Sequence, residues 1–69
     1  MKEKILNATE FYLKGMIHKH KLNASILLEK RVGVAEHPDI VETLCQELGL
    51  MAEYEDKLNM LYEISNECL

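Results

Sequence analysis

The residues of this 69-residue chain whose types and spacing invite chemistry are His18 and His20, Cys45 and Cys68, and the carboxylates Glu53, Glu55, Asp56, Glu63 and Glu67. His18-Lys19-His20 has the composition of a metal or phosphate cluster. Residues two apart on a helix, however, point about 160° away from each other, so one chain cannot bring both imidazoles to one ion. The expectation is a surface His18 and a packed or interfacial His20. A His pair across a twofold interface would make assembly respond to pH near 6. Neither cysteine stands in a Cys-x-x-Cys or Cys-x-x-His spacing, and on apolar faces free cysteines act mostly as small hydrophobes. Acid–base work by the carboxylates requires a water-excluding pocket that shifts their pKa values, which so short a chain does not provide. The sequence also lacks a Gly-rich phosphate loop, a nucleophile elbow and a His-Glu-x-x-His motif. The reading is therefore no enzyme, no cofactor and no metal site.

The elements that must position these residues are two helices. With 48% apolar and 29% charged residues, three Gly and one Pro, the composition is that of an ordinary soluble globular protein, and the length allows one domain. The pattern predicts a single helical-hairpin domain over 1–69: a helix over about 3–32, a turn at 33–37 and a helix over about 38–67. Lys30 and Arg31 suit the carbonyl end of the first helix, and Gly33 suits the left-handed residue that ends it. Pro38 suits the first position of the second helix, with Asp39 and Glu42 on its first turn. Gly49 is an interior weak point. No run of 7 to 15 apolar residues marks a secretion signal, and none approaches the ~20 residues of a membrane span. A reducing cytoplasm is the expected compartment.

Charge is divided unevenly. Residues 1–34 carry seven Lys/Arg against three Glu, whereas residues 35–69 carry one Lys against nine Asp/Glu. A basic segment folded back on an acidic one is favoured over like-charged pairing, although each exposed pair is worth only about 0–1 kcal/mol. For nucleic acid the footprint is weak, because Lys14, His18 and Lys21 share one side while Lys4, Lys19, Lys30 and Arg31 scatter around the others.

At about 100° per residue, Leu6, Leu13, Met16, Ile17, His20, Ala24, Leu27 and Leu28 form the expected core face of the first helix. Phe11, Leu22 and Ile26 cluster on nearly the opposite side, with Gly15 between Phe11 and Leu22. On the second helix Val41, Leu44, Cys45, Leu48, Met51 and Ala52 share a stripe, which then rotates to Tyr54, Leu58, Leu61, Ile64 and Cys68. Two helices can cover only one face each. The surplus predicts self-association, most simply as a homodimer forming a four-helix bundle, through Phe11, Gly15, Leu22, Ile26, Tyr54, Leu61 and Ile64. The acidic surface formed by Glu47, Glu53, Asp56 and Glu63 is the candidate for meeting a protein partner.

Two resemblances bear on function. Leu44-Cys45-Gln46-Glu47-Leu48-Gly49 resembles the Ser-Gln-Glu-Leu-Asp motif of the small two-helix sporulation phosphatases that act on response regulators. The acidic residue associated with phosphatase activity in that family is Gly49 in this chain, and the upstream loop spacing differs, so the activity is not carried over. The string from His37-Pro38-Asp39 through Leu58 is similar to small early proteins of lambdoid temperate phages. That resemblance covers about a third of the chain. It implies a phage-encoded accessory protein, helical and self-associating, that modulates host regulation or phage development by binding a host protein. The alternative expectation is a small dimeric RNA- or DNA-binding regulator of the Rop-like architectural type.

Overall fold

The structure, a computed structural model, describes residues 1–29 and 39–68, with side chains through residue 66. Two helices, α1 (Lys2–Glu29) and α2 (Ile40–Cys68), pack antiparallel along their lengths into a rod of 53 × 16 × 12 Å. The helices begin at Lys2 and Ile40, where starts at about 3 and 38 were expected. The proposed C-terminal signals Lys30, Arg31 and Gly33, the turn at 33–37 and the Pro38 start lie outside the described residues. The α2 amide of Thr43 bonds the Asp39 carbonyl at 2.9 Å, so Asp39 supplies the first acceptor of the helix. Thr9 and Ser25, poor helix formers in principle, turn their hydroxyls back onto the carbonyls four residues earlier, Ile5 at 2.8 Å and Lys21 at 3.0 Å.

The two helices meet along a heptad seam. On α2, among the described side chains, every residue that is at least half-buried falls at alternating steps of four and three: Ile40, Leu44, Glu47, Met51, Tyr54, Leu58, Leu61 and Ser65. On α1 the corresponding set is Leu6, Thr9, Glu10, Leu13, Met16, Ile17, His20, Asn23, Ala24 and Leu27. A repeat of 3.5 residues keeps a seam facing its partner along the whole length, whereas a straight 3.6-residue helix would drift about 20° per heptad. That drift explains where the expected core fails. Leu28 is 71% exposed and Val41 74% exposed, and Cys45, Leu48 and Ala52 are exposed as well. All five stand one position to the side of the seam. Tyr54, Leu58 and Leu61 continue the stripe of Leu44 and Met51 within the hairpin, so α2 shows one face there and no rotation.

The seam buries little. Leu13, Ala24, Leu58 and His20 are the buried residues among those described, and none of the described side chains is fully buried. Gly15 and Gly49 each sit mid-helix with open space where a Cβ would stand. Gly49→Ala is therefore expected to raise stability by about 0.5–1 kcal/mol through helix propensity alone, read as a higher midpoint in urea at unchanged slope.

Candidate functional site

The polar centre of the molecule lies on the seam, in its loop-proximal half. His20 is buried at 7% exposure on α1, and its Nδ1 stands 2.6 Å from Glu47 Oε2 on α2. Asn23, one turn further along α1, donates from Nδ2 to Glu47 Oε1 at 2.9 Å. Both oxygens of one half-buried carboxylate are thus engaged by two side chains of the opposite helix. The hydrogen bond from His20, then that from Asn23, hold the Glu47 carboxyl below its ordinary range. An ionised carboxylate only accepts, so the facing Nδ1 carries the ring proton. On the other side the His20 ring stacks on Tyr54, with centroids 5.9 Å apart and planes within 9°. Tyr54 meets the Tyr12 edge at 6.3 Å, and the Lys57 ammonium lies 5.0 Å over the Tyr54 ring.

A second link ties the far end. Tyr62 donates its hydroxyl to Glu10 Oε2 at 2.7 Å, and Lys14 approaches the same oxygen at 3.3 Å. The Tyr62 bond and the lysine hold Glu10 below the usual carboxylate range, and the same bond pushes the Tyr62 phenol up. Lys57 and Glu53 pair at 3.1 Å on the surface of α2, one turn apart.

These contacts change the standing of several residues singled out above. Glu47 is not free acidic surface: it is half-buried and bonded within the chain. Tyr54 and Leu61, expected to face a second chain, are half-buried against α1 because they occupy seam positions. Of the expected self-association residues, Phe11 (77% exposed), Leu22, Ile26 and Ile64 do stand open, and Gly15 is exposed. Glu53, Asp56 and Glu63 are exposed, as the acidic-surface reading requires. His18 is exposed and His20 buried, on opposite sides of α1 as their spacing dictates. Cys45 is free and exposed, while the Cys68 side chain lies outside the described residues. Among the described residues there is no group of three or more His, Cys, Asp or Glu able to hold a metal ion. No described helix is long and apolar enough to cross a membrane.

What the sequence reading missed is the His20–Asn23–Glu47 cluster. The signal was present: Glu47 lies three residues after Leu44 and four before Met51, in the same 4-3 spacing, and antiparallel pairing sets it level with His20 and Asn23. The chain matches no family model, no curated protein and no solved structure.

Proposed function

We propose that the hairpin self-associates into a homodimeric four-helix bundle and works without catalysis, as a regulatory module that binds another protein. The observation that carries this reading is surplus surface. A compact 8.0 kDa protein exposes about 4,500 Å², whereas this chain exposes 5517 Å². Large apolar side chains stand in water, among them Ile5, Tyr12, Ile26, Met60 and Ile64, each more than half exposed. Clusters of exposed apolar side chains on a small chain mark interaction surfaces. With Glu47 withdrawn, the acidic surface left for a basic partner is Asp56, Glu63 and the lysine-paired Glu53. The resemblance of residues 37–58 noted above would make that partner a host protein.

The double variant Ile26→Ser/Ile64→Ser tests the reading, because it removes exposed apolar area and leaves the buried Leu13, Ala24 and Leu58 in place. Its mass in size-exclusion chromatography with light scattering is expected to fall to that of one chain at concentrations where the parent is dimeric. A parent that elutes with the mass of one chain would overturn the self-association reading, and a variant as dimeric as the parent would remove Ile26 and Ile64 from the interface.

A further inference from the structure

We infer that the second copy docks on one particular flank of the hairpin, with the two loops at the same end, so that α1 of each copy lies against α2 of the other. The inference rests on the self-association proposed above and adds its face and symmetry. The two flanks of the seam differ. On one, the far end carries the Glu10–Tyr62–Lys14 link, with Glu55 on the same side of α2. The other flank carries the longer run of exposed apolar side chains, Ile5, Tyr12, Ile26, Leu50 and Ile64, with Lys19 and Lys57 set among them. There Ile5 and Ile64 border one groove, of roughly 340 Å³, across the helices. Thr9, Met60 and Ile64 line the next together with Asp56 and Lys57, and Ile26 and Thr43 line a third near the loop, with the Asn23–Glu47 pair at its floor. Tyr12 on α1 and Leu50 on α2 fall at the corresponding heptad positions between them, at 58% and 36% exposure.

The area fits a second copy. Two chains that each hide a surplus of about 1,000 Å² bury about 2,000 Å² together, the size of a stable dimer interface. A twofold axis lying in such an interface runs either along the rod or across it. Across the rod, it stacks α1 on α1 and α2 on α2 with the loops at opposite ends. Along the rod, it sets α1 against the other copy's α2, with all neighbours antiparallel. Charge decides between them: α1 carries a net +2 and α2 a net −6, counting histidines as neutral. The crosswise arrangement puts two helices of −6 side by side, and the lengthwise one puts each beside a helix of +2. Antiparallel pairing also levels Ile5 with Ile64, so in the lengthwise dimer Ile5 of one copy meets Ile64 of the other at the rod's end.

Spin-label distances separate these cases. Glu29, the exposed last residue of α1, marks the loop end, and the label is attached to a Glu29→Cys chain also carrying Cys45→Ser and Cys68→Ser. Double electron–electron resonance is expected to give an intermolecular distance of about 20–25 Å, the diagonal of a bundle with helices ~10 Å apart plus the label arms. A distance of about 40 Å, one helix length of 28 residues, would place the loops at opposite ends and overturn the inferred symmetry while leaving self-association intact. A chain of single-copy mass with no dipolar signal would overturn both.

Discussion

Leu58→Ala is expected to lower stability by about 2–4 kcal/mol and to leave a large share of the chain unfolded at 37 °C. Leu58 is one of three buried apolar residues, at 7% exposure, and stands level with the buried Leu13 across the seam. Removing three carbons there forfeits their transfer free energy and opens a cavity. A single core in a chain this short seldom supplies more than about 3–5 kcal/mol, so the loss is comparable with the whole. Leu28→Ala is the control, since Leu28 is 71% exposed and its truncation should change stability by no more than about 0.5 kcal/mol. Urea titrations followed by far-ultraviolet circular dichroism read both. Equal effects at Leu58 and Leu28 would mean that the heptad seam is misassigned.

The second large effect is expected at Glu47. Glu47→Ala leaves the buried His20 Nδ1 and the Asn23 amide without their acceptor, at a cost of about 1–3 kcal/mol for each donor left unsatisfied. Replacing the whole cluster, His20→Leu with Asn23→Leu and Glu47→Leu, removes donors and acceptor together. That variant should be at least as stable as the parent, because apolar packing of similar volume often equals or betters a buried polar pair. Its cost falls instead on register: Glu47 can accept from both His20 and Asn23 only when the helices are aligned as they are, and an all-leucine seam tolerates a slip of one heptad. Acid provides a further reading of the same site. The Glu47 carboxyl titrates below its ordinary range in the folded chain, so its contribution is fully present at neutral pH and is lost as the pH falls through the folded value. Glu10 acts in the same direction through Tyr62 and Lys14. The parent's melting temperature should therefore drop on acidification below the carboxylate range, and Glu47→Ala should flatten that drop. A parent and variant with parallel acid profiles would show that the cluster does not couple to folding.

The hairpin was legible in the sequence because its causes are local. Apolar spacing near 3.6, the absence of interior proline and the opposed charges of the two halves predict two antiparallel helices, and these are what form. The seam was legible only in part. Leu6, Leu13, Met16, Ile17, His20, Ala24 and Leu27 were read correctly on α1 because they sit near the middle of the stripe. Leu28, Val41, Cys45 and Leu48 were misplaced at its edge, where a straight helix and a supercoiled one assign opposite faces. Tyr54 and Leu61 were assigned to a second chain for the same reason. Glu47 was taken for solvated surface because a carboxylate carries no mark of its partner, and His20 and Asn23 lie 27 and 24 residues away. Such a pairing follows only from the register of one helix against the other.

The central claim is that one hairpin leaves more apolar surface in water than a small chain sustains, and that a second copy covers it. Light-scattering mass across a dilution series, with the melting temperature recorded at each concentration, tests it most directly. Twice the chain mass of 8.0 kDa at high concentration, with a melting temperature that falls on dilution, is the expected result. A mass of one chain throughout, with a melting temperature independent of concentration, would contradict it.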